Sequence, residues 1–334
     1  MPPVFPLAEW LYERGIGEDR AVLVQDGRII EAAIERPTAL RTGAIVPARL
    51  RHMLIPGKRA IAVTDAGDEI LIEPVPPRVG EGNALAVEIT REPIAETGRP
   101  KRAKGRVSAD PPRPGPSLLD RLAGESVTQV PSHGPDLLEQ AGWSELLDEA
   151  ARGEIAFASG GLRMSLTPAM TLFDVDGTLD PSALALAGAE AAAQAIRRMG
   201  IGGSIGIDLP TGAGKDARQR VAAAIDAILP QPFERTAVNG FGFIQIVRRR
   251  PRASLPELLR DDPAGAAARA LLRLAERTPG HGARTLVAAP SVIAAIEAEP
   301  DWIAELSRRT GTATALRAEA ALAISAGHVH SAFA

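Results

Sequence analysis

Short runs in which hydrophobic and polar residues alternate occupy positions 18–92 of the chain. Alternation with a period of two residues predicts half-buried β-strands. The runs are bounded by Asp-Gly, Pro-Gly, Ala-Gly and Glu-Gly pairs, which are typical of tight turns. They read RAVLVQDGRIIEAAIE, AIVPARLRHML, RAIAVTDAGDEILIEPV and NALAVEITRE. The pattern therefore predicts a small, barrel-like β module within residues 1–108.

A different pattern follows the stretch SADPPRPGPS, whose prolines are unsuited to a helix or a strand. We interpret 109–135 as a proline-rich linker. Beyond it, segments with helical spacing of apolar residues alternate with short β-like runs, which is typical of layered α/β domains. This alternation predicts one α/β domain over 136–260 and a smaller one over 261–334, the latter a candidate dimerisation unit. The expected fold class is α/β, in a multi-domain α+β arrangement.

The composition restricts the location and the metal chemistry of the protein. The chain has 334 residues, of which 45% are hydrophobic, and this is enough to bury more than one core. It contains neither a long apolar run nor a charged leader with an apolar segment, so we expect a cytoplasmic protein without membrane contact. Because cysteine is absent, disulfides and thiolate zinc sites are excluded, and any metal is expected to bind oxygen or imidazole.

Positive charge is concentrated in two places, although the formal net charge is −3. The segments RPKRAKGR and VRRRPRAS are the two clusters, and arginine outnumbers lysine in both. The arginine guanidinium forms two parallel hydrogen bonds to phosphate oxygens. The clusters are therefore candidate phosphate-binding segments, while a solvated loop is the alternative interpretation of the first.

Carboxylates are concentrated where two predicted strands end. Residues two apart in a strand share a face, so TLFDVDG places Asp174 and Asp176 on the same side. The strand SIGIDLP follows a predicted helix and ends in Asp208; strands connected in this way are usually parallel neighbours. We expect the acids to converge at one sheet edge and to bind Mg²⁺ or Mn²⁺. A polar turn at Asp-x-Asp-Gly is the alternative, and Asp180 is predicted to cap the next helix.

The segment LFDVDGTL also resembles, residue for residue, the nucleophile motif of the haloacid-dehalogenase-like phosphatases. In that family the first aspartate is phosphorylated and the second is the general acid. The resemblance is confined to this motif. It implies phosphatase activity, with Asp174 as the nucleophile and with the remaining roles falling to Thr211, Lys215, Asp261 and Asp262.

A longer resemblance, collinear over about residues 22–330, is to the ribonuclease E/G family. Its phenylalanine-glycine strand with an arginine-rich exit is similar to NGFGFIQIVRRRPRASL, and its Ser-Gly-Gly segment with the following strands is similar to SGGLRMSLTPAMTLFDVDG. The family's next helix and strand are similar to GAEAAAQAIRRMGIGGSIGIDLP. The amino-terminal module resembles a shortened form of the family's OB-type module.

This resemblance implies a fold and a reaction. The fold is an OB-like β module followed by an α/β nuclease domain and a small carboxyl-terminal α/β unit. Asp174 and Asp208 take the places of the two magnesium-binding catalytic aspartates, and Asp176 that of an adjacent asparagine. The implied reaction is metal-assisted endonucleolytic hydrolysis of single-stranded RNA that leaves a 5′-phosphate. Because the chain has no cysteine, the zinc link of the family's tetramers is not expected, and we expect a homodimer through the carboxyl-terminal unit instead. The residues implied to contact RNA are Arg99, Lys101, Arg102, Lys104, Arg106, Lys215, Arg248 and Arg250.

Two variants of this interpretation stay open. The chain has no Phe, Tyr or Trp between Tyr12 and Trp143, so the predicted β module lacks a surface on which bases stack. One variant is therefore a catalytically inactive RNA-binding relative. The other is a displaced catalytic site made of Glu88, Glu92 and Arg91, for which a solvated edge strand is the alternative explanation.

Overall fold

The computed structural model describes residues 8–96, 100–212 and 214–333. Within these residues the chain forms two compact units, each assembled from segments that are distant in sequence. Unit 1 contains the described residues of Met1–Pro37, Leu122–Glu145 and Leu258–Ala334, and unit 2 contains those of Thr38–Arg121 and Leu146–Glu257.

Strands and helices alternate along most of the chain. The strands of the described residues are β1 (Glu9–Arg14), β2 (Asp19–Gln25), β3 (Arg28–Glu35), β4 (Ile45–Ile55), β5 (Arg59–Val63), β6 (Glu69–Ile72), β7 (Ala84–Arg91), β8 (Ala103–Ser108), β9 (Val127–Gln129), β10 (Glu154–Phe157), β11 (Gly160–Leu166), β12 (Thr171–Gly177), β13 (Gly203–Asp208), β14 (Phe233–Arg235), β15 (Phe243–Arg248), β16 (His281–Ala288), β17 (Thr314–Ala318) and β18 (His328–Phe333). The helices are α1 (Leu118–Arg121), α2 (Leu137–Gln140), α3 (Trp143–Arg152), α4 (Pro181–Arg198), α5 (Lys215–Ile228), α6 (Leu255–Asp261), α7 (Pro263–Arg277), α8 (Pro290–Glu297) and α9 (Pro300–Thr310).

Unit 1 contains two sheets. In the first, with the order β3-β2-β1-β9, β2 is antiparallel to β1 and β3, whereas β9 runs parallel to β1 and places Val127 opposite Trp10. The second sheet has the order β17-β16-β18. Apolar faces of α7, α8 and α9 contribute Leu272, Ile296 and Leu306 to a core shared with this sheet. Both sheets belong to unit 1 even though their strands come from opposite ends of the chain.

Buried carboxylates of unit 1 are paired with arginines. Glu13 is fully buried and accepts hydrogen bonds from Arg20 Nε at 2.8 Å and from Arg277 Nη2 at 2.7 Å. Arg20 also donates to Asp136 at 2.6 Å and stacks on Trp143, 5.1 Å from the ring centroid. Burial opposes ionisation of Asp136, but Arg20 holds the pKa of this carboxyl below its usual range. Because an unpaired buried charge is costly, these contacts tie together the segments that form unit 1.

Unit 2 contains a closed five-stranded barrel in the order β4-β5-β6-β8-β7, in which β7 pairs with β4 to complete the circle. β6 and β8 are parallel, and the other neighbouring strands are antiparallel. Alternate residues such as Leu50, Ile70 and Val87 point inward and form the core. Closure of the sheet leaves no edge strand with unpaired backbone groups.

The second sheet of unit 2 has six strands in the order β10-β11-β12-β13-β15-β14. β12 and β13 are parallel and are connected by α4, while the other neighbouring strands are antiparallel. Phe173 and Ile207 are buried on one face of this sheet. Helix α4 packs on that face so closely that a Cβ on Gly188 would lie 2.3 Å from Val175 Cγ1. The opposite face, which we call the open face, carries exposed residues such as Arg163, Asp174 and Asp208.

The expected mixed α/β fold with a β-barrel is confirmed, but the strands are partitioned differently from the sequential scheme of 1–108, 109–135, 136–260 and 261–334. β1, β2 and β3 pair with one another in unit 1, and only β4 to β8 form the barrel. The predicted linker contains α1 and also β9, which pairs with β1. Alternation predicts that a segment is a strand, whereas its partner is chosen by long-range packing. No helix of the described residues is long and apolar enough to cross a membrane.

The pairing of buried charges in unit 1 can be tested with Arg20→Met, which removes the charge and keeps an unbranched apolar side chain. We expect the free energy of unfolding of unit 1 to fall by about 3–5 kcal/mol, because Glu13 and Asp136 lose their shared cation. Denaturant unfolding followed by tryptophan fluorescence measures this, since all three tryptophans, Trp10, Trp143 and Trp302, lie in unit 1.

Arg308→Met is the matched control, because the Arg308 side chain is 71% exposed and pairs with Glu305 at the surface. We expect this substitution to lower the free energy of unfolding by less than about 1 kcal/mol. Equal losses for the two variants would show that the buried pair contributes nothing beyond an exposed one.

Candidate active site

Asp174 and Asp208 are direct neighbours on the two parallel strands of the six-stranded sheet. The register of β12 and β13 pairs Phe173 with Ile207 and Asp174 with Asp208. Adjacent strands lie about 4.8 Å apart, and residues opposite each other project from the same face. Both aspartates are exposed on the open face. The predicted convergence of these two acids is therefore present in the structure.

A row of four residues crosses the open face at this level. β11 and β12 pair Arg163 with Asp174, and β13 and β15 pair Asp208 with Phe243. The order across the sheet is thus Arg163, Asp174, Asp208 and Phe243. The Phe243 ring lies over Gly206, where an added Cβ would be 2.5 Å from Phe243 Cζ. The row therefore places Arg163 opposite Asp174 and Phe243 opposite Asp208, on the two sides of the paired acids.

Asp176 lies on the same face but outside this row. Its partner on β11 is Gly161, and the pairing of β12 with β13 ends at Asp174 and Asp208. Asp176 is two residues beyond Asp174 on β12, so its backbone is farther from Asp208 than that of Asp174. Asp180 accepts hydrogen bonds from the backbone N–H groups of Ser182 and Ala183, which confirms its predicted role as the cap of α4.

The two carboxylates have the chemistry of a magnesium site. They are acceptor-only oxygen ligands, and Mg²⁺ in proteins uses one or two carboxylates and completes its octahedral shell with water and substrate oxygens. Residues 8–96, 100–212 and 214–333 contain no group of three or more His, Cys, Asp or Glu side chains suited to a metal. The carboxylates of Asp174 and Asp208 are the pair that would hold a cation at this place.

The first basic cluster is held in ion pairs on the barrel. Lys101 pairs with Glu96, Arg102 with Glu69, Lys104 with Glu73, and Arg106 with Glu88. Hydrogen bonds from Lys104 and Arg59 hold the pKa of Glu73 below its usual range. Arg99 lies outside the described residues. Each acid offsets the charge of its partner, so the cluster presents less positive potential than its sequence indicates.

Two arginines of the second basic cluster, Arg248 and Arg250, also form hydrogen bonds within unit 2. Arg248 Nη1 donates to the backbone oxygen of Ile201 at 2.9 Å, and the Arg250 guanidinium contacts both Glu96 and Glu257. Lys215 differs, because it is exposed at the first residue of α5, in the connection that follows Asp208. Of these three predicted RNA contacts, Lys215 is the one that lies close in sequence to a carboxylate of the row.

The acids of the displaced site are engaged separately. Glu88 pairs with Arg106, its neighbour on β8, at 2.8 Å. Glu92 Oε1 accepts a hydrogen bond from the backbone N–H of Thr42 at 3.1 Å, which attaches the end of β7 to a loop. Arg91 Nη2 donates to the backbone oxygen of Arg102, and burial holds the Arg91 pKa below its usual range. Glu88, Glu92 and Arg91 thus each bond to a different partner and stabilise the barrel and its adjoining loop.

The residues assigned to phosphatase roles are dispersed among different elements. Thr211 is exposed just after β13, in the connection to α5. Asp261 is the last residue of α6 in unit 1. Asp262 caps α7 and accepts a hydrogen bond from Arg269 at 3.0 Å, so its carboxylate stabilises unit 1.

Sequence patterns alone did not single out Arg163 or Phe243. Arg163 occupies an exposed position in the alternating stretch GGLRMSL, and Phe243 begins β15 after the Phe-Gly pair. Alternation indicated which face each one occupies. Only strand order and register place them beside the acids.

Comparison with known proteins assigns no family to the chain. No protein-family model matches it, and no curated protein matches it either. Its chemistry is therefore interpreted from the geometry of its own residues.

Repulsion between the paired carboxylates leads to a stability prediction. Like charges directly opposite each other in a sheet are destabilising by about 0.2–1 kcal/mol. We expect Asp208→Asn to raise the unfolding temperature of unit 2 in EDTA by up to about 4 °C. Addition of Mg²⁺ should stabilise the parent protein, since a ligand that binds only the folded state raises its stability, and should leave Asp208→Asn unchanged. Scanning calorimetry measures both effects.

Asp176→Asn is the matched control. It makes the same change of charge two residues from Asp174, where the neighbour on β11 is glycine. The expected change in unfolding temperature is smaller, and the response to Mg²⁺ is retained. If both variants respond like the parent protein, Asp174 and Asp208 do not share a cation.

Proposed function

We propose that the protein is a magnesium-dependent endoribonuclease that hydrolyses single-stranded RNA and leaves a 5′-phosphate. The observation that carries this proposal is the register of Asp174 with Asp208 on an exposed sheet face. Two carboxylates in this arrangement suit a divalent cation and leave its remaining coordination positions open to water and to a phosphodiester.

Each residue of the row has a role in this proposal. Asp174 and Asp208 would hold the cation on the open face. A bound Mg²⁺ would polarise a phosphoryl oxygen and supply hydroxide as the nucleophile. Arg163, opposite Asp174, donates hydrogen bonds to a non-bridging phosphate oxygen, which suits a planar guanidinium. Asp176 lies one step along β12 and orients water at the edge of the site.

The barrel supports a nucleic-acid substrate. Numbered from its first strand, its order is 1-2-3-5-4, with closure between the fourth and first strands. This is the arrangement of the OB-fold, a five-stranded barrel that commonly binds oligonucleotides. The collinear resemblance to the ribonuclease E/G family points to the same substrate class. Exposed Lys215 adds a cation for the phosphate backbone.

The proposal predicts that cleavage depends on both paired aspartates. Asp174→Asn and Asp208→Asn should each lower the cleavage rate of a labelled single-stranded RNA at least about 100-fold, because even partners outside the metal's own ligand shell contribute 10–100-fold. EDTA should abolish cleavage by the parent protein. The assay is gel analysis of the products, including the phosphate state of the new 5′ end.

Glu88→Gln is the control, because Glu88 belongs to the displaced site and pairs with Arg106 on the barrel. We expect it to cleave at the parent rate. Retained cleavage by both aspartate variants together with loss in Glu88→Gln would move the chemistry to the barrel. Binding of RNA without cleavage at any Mg²⁺ concentration would identify an inactive RNA-binding protein, and turnover of p-nitrophenyl phosphate would favour a phosphatase.

A further inference from the structure

Phe241 is a large apolar side chain that is almost completely in contact with solvent. It is 81% exposed, the largest exposed fraction among the large hydrophobic residues of the described chain. Two exposed apolar residues of the barrel, Leu54 and Ile55, reach 54% and 44%. Phe241 lies in the connection between β14 and β15, two residues before Phe243.

The loop that carries Phe241 is held rigidly. Asn239 Oδ1 accepts hydrogen bonds from the backbone N–H groups of Phe241 at 2.9 Å and Phe243 at 3.0 Å. Gly242 has φ +88°, a left-handed conformation that favours glycine, and a Cβ there would lie 2.3 Å from the backbone oxygen of Leu209. These contacts fix the backbone on both sides of the exposed ring.

The same loop is attached to the carboxylate site. Leu209 N donates to Gly242 O at 3.1 Å, and Leu209 directly follows Asp208. Phe243 is the direct cross-strand partner of Asp208. Phe241 lies in the turn immediately before β15, two residues before that partner. The turn that carries the exposed ring therefore adjoins the end of β13 at which Asp208 lies.

We propose that Phe241 is the stacking platform for the nucleobase next to the phosphate held at Asp174 and Asp208. This inference rests on the proposed nuclease function and deepens it, because it names a residue that positions the substrate. Aromatic side chains stack on every base, so they bind single strands with little sequence preference. The barrel of unit 2 has no Phe, Tyr or Trp between 38 and 121, so a platform of one of these rings has to lie elsewhere in the chain.

The polar surroundings of Phe241 favour a nucleotide over a protein partner. Asp208 and Asp174 lie in the adjacent row, and Arg163 lies beyond them. Asn239 and Gly240, which precede the ring in the loop, are exposed. A single aromatic ring beside charged groups matches a nucleotide, which has an apolar base face and a charged phosphate. The core of a protein interface is instead depleted of charge.

Binding and fluorescence of Phe241 variants test the stacking contact in the full-length chain. The assay contains Ca²⁺ in place of Mg²⁺, which leaves the paired carboxylates a divalent cation while slowing cleavage. Phe241→Ala should then bind a fluorescein-labelled single-stranded RNA about 5- to 100-fold more weakly than the parent protein. Phe241→Trp should bind like the parent, and RNA should quench the emission of the new tryptophan. Leu274→Ala, which shortens an exposed apolar residue on α7 of unit 1, is the control and should bind normally.

A series of RNAs with one abasic nucleotide, moved along the strand, locates the base. The parent protein should lose affinity at one position of the series, and Phe241→Ala should be insensitive at that position. Parent-like binding by Phe241→Ala overturns the inference. If Phe241→Ala also has an altered sedimentation coefficient at unchanged RNA affinity, Phe241 contacts a second copy of the chain, and this result too overturns the inference.

The inference and the nuclease proposal fail in different ways. If Asp174→Asn and Asp208→Asn abolish cleavage while Phe241→Ala binds normally, only the stacking contact is wrong. If the aspartate variants cleave normally while Phe241→Ala binds weakly, the stacking contact stands and the metal site is wrong. Absence of RNA binding by the parent protein overturns both.

Discussion

The packing of α4 against one face of the six-stranded sheet is the constraint on which the candidate site depends. Close packing of Gly188 in α4 against Val175 in β12 buries the face that carries Phe173 and Ile207. The alternating residues must then lie on the open face, where carboxylates keep their contact with water. Because α4 connects two parallel strands, Asp174 and Asp208 arrive at the same level of that face. Backbone pairing, rather than contact between side chains, therefore brings the two acids together.

Charged residues are used in two ways in this protein. In unit 1, Glu13 and Glu18 are buried and bonded to Arg20 and Arg273, because an ionised carboxylate away from water needs a cation. No hydrogen bond or ion pair within the described residues engages Asp174 or Asp208. Two neighbouring like charges without such compensation reduce the stability of a sheet, which is common where a protein sacrifices stability for binding or catalysis.

The surfaces proposed to contact RNA are divided between the barrel and the open face. On the barrel, ion pairs such as Arg106 with Glu88 moderate the positive charge, and Phe, Tyr and Trp side chains are absent. The open face combines Arg163, the two aspartates and the rings of Phe243 and Phe241. We therefore infer that the barrel supplies backbone contacts of low specificity and that the sheet positions the nucleotide at the site of reaction.

The sequence by itself determined the secondary-structure type of most segments, the strands that carry Asp174 and Asp208, and the cap at Asp180, because these depend on local periodicity and turn chemistry. Tertiary structure alone decided that β9 pairs with β1 and that the strands before residue 36 are separate from the barrel. It also decided that Arg163 and Phe243 flank the acids and that Arg106 is paired with Glu88. The physical reason is that strand partners and ion pairs are selected by burial and register between segments far apart in the chain. A local pattern of residues does not show which distant segment will be the partner.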